Sequence, residues 1–412
     1  MIETALTDIH SARLSPLVPQ ESSYNLLQKG LTKALAVKSG KTSAAEVYYL
    51  SKKVSFKFRM FGTSAPEISQ RYLTVWAHDY DKKSEQMSLM ENGEFVEYDF
   101  GFPMYEDLAK RHVNPEGSDL KDRMALYRSQ SEAHIRALYE QTVEKPDHIV
   151  HVTSTGFLDP NPVDAVMASK QWYDVDVTTC YHRACNAPIS AIRTANALLT
   201  ASLAGGCETP KKRIDLVHSE IFSLHTRIAE DDPVNILLMC KFSDSFLRYA
   251  IESCDAIRKK GQKGLKILAF KNFTIPDTSA IAQWSASNPC FEFNVDAMNY
   301  FKLVKTHVRQ FTHAFFAEHG MDFAEVKGKT VFVIQASSLS ILKEIAQQLK
   351  LSEELTGLSR KTYHENGYLS SGAIPFMCKQ IIESTDIPSG ALVFCLGYGQ
   401  GVTMSGMLLE KM

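Results

Sequence analysis

Apolar and polar positions along the chain change rhythm near residue 145. Before it, Tyr24 to Val37 carries Leu26, Leu27, Leu31 and Leu35 at the spacing of an amphipathic helix, and the polar stretch Asp79 to Glu94 reads as a loop. Ser129 to Thr142 predicts another helix. Asp147 to Thr153 is a β-branched run that predicts a strand, ended by a turn at Ser154-Thr155-Gly156. Strands and helices then alternate. Gln171 to Thr179 leads to Cys185, Asn186 to Ala204 is helical, Arg213 to Ser219 is a buried strand, and Val234 to Ile251 reads as two strands parted by Ser243-Asp244-Ser245. The rhythm repeats with Leu265 to Phe273, a helix over Val295 to His319 and a strand over Thr330 to Gln335. Helices Ser338 to Leu349 and Ser370 to Ser384 and strands Ala391 to Leu396 and Val402 to Leu409 follow. Such alternation predicts an α/β fold, with mixed sheets flanked by helices.

Composition narrows the class without naming a chemistry. The chain has 412 residues, 44% apolar and 22% charged, which suits a large folded core and argues against disorder and membrane spans. With 45 Lys and Arg against 47 Asp and Glu the net charge is −2, so nucleic acid and acidic membranes are not expected partners. The clusters Lys211-Lys212-Arg213 and Arg258-Lys259-Lys260 read as solvated helix ends or loops, or as contacts for the phosphates of coenzyme A or an acidic carrier protein. Eight cysteines include no C-x-x-C pair and no Cys/His cluster of zinc-site spacing, so no metal is expected. Cys240 and Cys395 lie in apolar runs as small hydrophobes. Met-Ile-Glu-Thr opens without a basic stretch and apolar core, so no secretory signal is read and a reducing cytoplasm is the expected location.

The candidate chemistry centres on Cys185. It stands before the helix that starts near Asn186, with Asn186 available as N-cap and Pro188 suited to the first turn. The positive end of a helix would lower the thiol pKa and offer backbone N–H groups to an oxyanion. Ile189, Ala191, Ile192, Ala195, Leu198 and Leu199 make that helix a buried one. The glycine run Gly397-Tyr398-Gly399-Gln400-Gly401 leads into a strand rather than a helix, which argues against a dinucleotide site.

At these residues the sequence resembles the thiolase superfamily, in its ketoacyl synthase III and type III polyketide synthase (chalcone synthase-like) branch. The resemblance is carried in order by Val152-Thr153-Ser154-Thr155-Gly156, Ala184-Cys185 with Ala191 and Ala195, Asp215 to Glu220, Phe242-Ser243-Asp244, Gly367 to Pro375, and Gly397 to Thr403. It implies a duplicated, five-layered αβαβα thiolase fold, with an N-terminal half over 1–255 that carries the nucleophile and a C-terminal half over 256–412. It also implies a homodimer, a buried site reached by a tunnel, and no cofactor beyond acyl thioesters of coenzyme A or acyl carrier protein. Cys185 would take the acyl group, and the backbone N–H groups of Cys185 and Gln400 would form the oxyanion hole.

Two positions depart from the family pattern. Gln335 stands where the family carries its His and Tyr368 where it carries its Asn, while Phe242-Ser243-Asp244 replaces Phe-Gly-Asp. Gln335 can donate a hydrogen bond but not exchange a proton near neutrality, and Tyr368 can donate its phenolic proton. His364 and Asn366 are the candidates to replace the missing pair if the loop shifts, and His182 lies three residues before the cysteine. The expected activity is a condensing acyltransferase that forms a carbon–carbon bond from a Cys185-bound acyl group. Two alternatives are an acyltransferase of the same fold acting on an oxygen or nitrogen nucleophile, and a non-catalytic subunit of a ketosynthase heterodimer.

Overall fold

The computed structural model describes residues 2–76, 88–97, 101–140, 144–181, 183–206 and 209–412. Its main strands are β1 (Thr4–Ser11), β2 (His148–Thr153), β3 (Asp176–Tyr181), β4 (Arg213–Glu220), β5 (Ser245–Ser253), β6 (Gly264–Thr274), β7 (Thr330–Ile334), β8 (Leu392–Gly399) and β9 (Thr403–Lys411). The helices that matter for the site are α1 (Gln20–Ser39), α2 (Ala44–Phe61), α3 (Leu120–Glu140), α4 (Ala187–Ala201), α5 (Pro233–Lys241), α6 (Ala297–Glu318), α7 (Leu339–Leu349), α8 (Gly357–Asn366) and α9 (Ala373–Glu383).

The strands join in one mixed sheet, ordered β7-β8-β9-β6-β1-β5-β4-β2-β3. From the antiparallel seam between β1 and β6, each side runs through antiparallel neighbours to parallel strands at its edge. That repeated succession is the duplication that the family resemblance implies. The point 255/256 falls between β5, which ends at Ser253, and β6, which begins at Gly264.

Packing shows five layers. The apolar face of α4 and that of α9, with Ile192, Ala195, Ile374 and Met377, form one core with Val150 and Leu216 from one side of the seam and Val333, Val393 and Met407 from the other. These two helices are therefore the central layer, covered by sheet on both sides. On the outer face of the first half, Ile135 and Tyr139 of α3 pack on Ile149 and Val217. On the outer face of the second, Val308, Phe311 and Phe315 of α6 and Leu342 and Ile345 of α7 pack on Phe332, Phe394 and Leu408. All eight residues of β4 are buried, as a strand covered on both faces must be.

Several local expectations need correction. Val234 to Cys240 is helix α5 and not a strand: Pro233 sits in its first turn and the Asp232 carboxylate accepts from the Asn235 N–H. Apart from Asn235 the segment is apolar throughout, so it has no period to separate the two states, and the cap decides. The strand expected after it does form, as β5. A helix that the pattern did not suggest, α2, starts at a reciprocal capping box between Ser43 and Glu46. Helix α3 begins nine residues before Ser129, at Leu120, and Thr142 lies outside the described residues. Of Asp79 to Glu94, residues 79–87 lie outside the described residues, and Met90–Glu91 pairs with Glu94–Phe95 as a short hairpin. Arg213 is no solvated loop residue: it is buried in β4 and bonded to Asp8, Asp215 and Glu252. Cys240 and Cys395 are fully buried, as their apolar neighbours suggest.

Candidate active site

Cys185 lies in a single 3-10 turn, Ala184–Asn186, that runs into α4. Pro188 occupies the first turn of the helix as expected, but Asn186 makes no side-chain cap. Its backbone is already helical, so the side chain cannot fold back onto the first turn, and its Nδ2 donates instead to the Thr403 carbonyl at 3.1 Å. This bond ties the cysteine turn to β9. Gly399 permits the approach, since a Cβ there would lie 2.8 Å from Asn186 Nδ2.

Tyr368 comes from the loop after α8, which Gly367 ends at a φ of 70°. Its N–H donates to the Lys241 carbonyl at 2.8 Å, and its carbonyl accepts from the Ser243 N–H at 3.0 Å. That two-sided pairing aims the phenol at the cysteine, where its hydroxyl donates to Cys185 Sγ at 2.5 Å. The same oxygen accepts from Gln335 Nε2 at 2.6 Å. Gln335 follows β7, is fully buried, and leaves its Oε1 without a hydrogen-bond partner among the described residues. Ser370 Oγ lies 3.6 Å from Sγ, on a residue with a φ of 49°. A left-handed serine beside the Cys185 sulfur is a strained conformation of the kind found at functional sites.

Burial pushes the Cys185 thiol above its ordinary range, while hydrogen bonds from Tyr368, Ser370 and Gln335 and the charge of Lys241 pull it back down in part. The expectation of a thiol depressed by its helix is thus corrected: desolvation outweighs the stabilising contacts. Burial, then the adjacent thiol, push the Tyr368 phenol far up, so it stays a donor throughout the physiological range.

The sulfur opens on a cavity of about 430 Å³. Its walls are apolar and aromatic, with Phe222, Leu238, Phe242, Trp284, Phe293 and Phe301, and Lys241, Ser338 and Gln400 among the polar exceptions. The end of α2 contributes Met60 and Phe61, so the N-terminal region supplies part of the cavity wall. A cavity of this size and polarity suits a small organic ligand.

Of the residues singled out in the sequence, the structure brings Cys185, Gln335 and Tyr368 into one hydrogen-bonded chain and sets Gln400 on the same cavity. It does not bring His364 or Asn366 there. His364 Nδ1 faces the Glu67 carbonyl, and Asn366 is bonded to Arg13 and to the Thr362 carbonyl. His182 lies outside the described residues. Two participants escaped sequence reasoning, Lys241 and Ser370. The signal for Lys241 was a charge interrupting the apolar stretch from Ile236 to Phe242.

The C-terminal segment, residues 317–411, matches the family 3-oxoacyl-[acyl-carrier-protein (ACP)] synthase III C terminal. No curated protein matches the sequence significantly. Among solved structures, PKS-I from the brown alga Ectocarpus siliculosus is similar with a TM-score of 0.75 and 17% identity, over 100% of this chain and 99% of its own. The C-terminal type III polyketide synthase domain of a type I/III hybrid from Dictyostelium follows at 0.71 and 20%, over 99% of both chains. CsyB, seen in complex with CoA-SH, gives 0.73 and 15%, over 99% of this chain and 100% of its own. Among the described residues no helix is long and apolar enough to cross a membrane. The chain has the thiolase fold, as do the type III polyketide synthase structures it is similar to, and its residues 317–411 match the C-terminal model of 3-oxoacyl-[ACP] synthase III.

Proposed function

We propose that the protein is a condensing enzyme that forms a carbon–carbon bond from an acyl group held as a thioester on Cys185. The observation that carries this reading is the sulfur itself, exposed to an apolar cavity of about 430 Å³ and held by a hydrogen-bonded Gln335–Tyr368 pair. In the first step the Cys185 thiolate attacks an acyl thioester, expels the carrier thiolate and becomes a neutral thioester. The Tyr368 hydroxyl then no longer has a sulfur anion to serve. Together with the Gln335 amide it becomes a donor for the carbonyl oxygen of a second substrate.

A malonyl-type extender would lose carbon dioxide by cleavage of its own carbon–carbon bond, leaving an enolate. That step requires donors for the enolate oxygen but no proton acceptor, so a glutamine and a tyrosine meet its demands without an imidazole. Attack of the enolate carbon on the Cys185 thioester forms the new bond and returns the thiolate. Backbone N–H groups of Cys185 and Gln400 serve the oxyanion in this reading, and the cytoplasm and a homodimer are its expected setting. The CoA-SH complex of CsyB favours coenzyme A as the carrier.

Intact-protein mass spectrometry after exposure to acyl-CoA thioesters of graded length tests the first step. A mass gain equal to the acyl group, abolished in Cys185→Ala, is expected. Products from malonyl-CoA that contain a new carbon–carbon bond complete the reading, and acylation with no such product would replace it by simple acyl transfer.

A further inference from the structure

Lys241 is enclosed, at 9% exposure, and lines the same cavity as Cys185. Its main chain is fixed against the loop of Tyr368, because the Lys241 carbonyl accepts the Tyr368 N–H and Phe242 bridges to Tyr368 in parallel register. The side chain rises along that loop to bring Nζ 5.7 Å from the centre of the Tyr368 ring, whose hydroxyl touches Sγ. It also lies 5.9 Å from the Phe242 ring. Among the described residues no carboxylate pairs with this ammonium. Glu67, on the same cavity, is shifted by burial alone and so does not answer the charge. Arg71, behind Phe242, is occupied with the carbonyls of Met239 and Phe242. The phenols of Tyr300, Tyr368 and Tyr398 face the thiol but are held protonated by burial.

A buried ammonium without an anion is costly, and so is a buried thiolate without a cation. Each resolves the other. We propose that Lys241 is the counter-ion of the Cys185 thiolate, supplying from the end of α5 the positive charge that neither Gln335 nor Tyr368 can carry. This rests on Cys185 being the nucleophile. Ionisation of the thiol releases its proton to solvent and leaves an ammonium–thiolate pair, each member of which contacts Tyr368. The two groups act on one another electrostatically: Lys241 is lowered to about 8 by burial and raised in part by Cys185, and Cys185, raised overall by burial, is lowered in part by Lys241.

The test is the pH dependence of Cys185 alkylation by iodoacetamide, read by mass spectrometry between pH 5 and 10 with Cys185→Ala as background. Lys241→Met is expected to move the midpoint upward by at least about one pH unit, which slows alkylation at pH 7 about tenfold. Lys241→Arg keeps the charge and is expected to stay within about threefold of the parent, in line with a Coulombic role. Lys241→Gln, with a polar end, gives the same reading as methionine if the latter does not fold. A midpoint unchanged in both neutral variants overturns the ion pair. Alkylation needs no acyl donor, so absence of acylation together with a shifted midpoint would sink the condensing reading and leave the ion pair standing.

Discussion

The Tyr368 hydroxyl donates to Cys185 Sγ while accepting from Gln335, so the sulfur is coupled through one phenolic oxygen to the residue that follows β7. In Tyr368→Phe the ring still fills its space but the donor is gone. The thiol loses the largest contact pulling its proton affinity down, and its titration midpoint rises. A hydrogen bond to a charged group is worth about 1.5–3 kcal/mol, so iodoacetamide alkylation at pH 7 falls by about tenfold or more. If the hydroxyl also serves the second substrate, condensation falls further than alkylation does. Equal losses in both would restrict Tyr368 to the sulfur.

Gln335→Glu changes one atom and reverses the electrostatics. Among the described residues no cation is bonded to the fully buried Gln335, so an ionised glutamate there would be an uncompensated charge next to a sulfur that becomes an anion in the proposed reaction. Thermal unfolding at pH 8 should show a loss of roughly 3 kcal/mol or a carboxyl held neutral, and alkylation at pH 8 should drop more than about tenfold. A variant that alkylates like the parent would remove Gln335 from the environment of the sulfur.

Gly399→Ala tests how the cysteine turn is held. The new methyl would stand 2.8 Å from Asn186 Nδ2 and 3.5 Å from its backbone nitrogen, so Asn186 must move and its bond to Thr403 must break. Overpacking of this kind costs about 1–3 kcal/mol. The turn carrying Cys185 moves with Asn186, so a lower Tm should come with slower alkylation. A lower Tm with unchanged alkylation would show that Sγ is positioned independently of that contact.

How much of this could be read from the chain differs between fold and site. Helices such as Val295 to His319 show their period directly because one face lies in the core, the strand over Asp147 to Thr153 shows instead as a β-branched run buried on both faces, and the five-layer architecture comes from the family resemblance. Val234 to Cys240 misleads because the segment is apolar on nearly every side and only the Asp232 cap distinguishes helix from strand. Cys185, Gln335 and Tyr368 were legible through a shared motif order, yet nothing in the sequence states that a single oxygen joins them. Lys241 and Ser370 enter the site through a bridge between Phe242 and Tyr368, segments far apart in the chain, and such pairings leave no local pattern. His364 and Asn366 show the converse, since proximity to Tyr368 in sequence points their side chains elsewhere.

Glu220 makes the protein's stability fall toward alkaline pH. It is fully buried at the end of β4, where its carboxyl accepts from the Ser154 N–H at 2.8 Å, the Thr155 hydroxyl at 3.1 Å and the Ser371 hydroxyl at 2.8 Å. Burial outweighs these bonds and raises the carboxyl to about 7 from 4.5. The folded chain therefore keeps a proton that the unfolded chain has already released between those values. Stability from this group is complete below pH 4.5 and is lost as pH rises through 7, a change on the order of 3 kcal/mol. Asp244, raised to about 6 by burial, adds a loss of the same sign over a lower window. Glu220→Gln cannot ionise, and its amide can donate to the Ser371 hydroxyl while its oxygen keeps the Ser154 contact. Urea unfolding should then find the variant close to the parent at pH 4.5 and more stable than it at pH 8, with a flatter slope between. Parallel stability curves for the two proteins across that range would mean that Glu220 is ionised in the folded state and that its three donors, not its burial, control it.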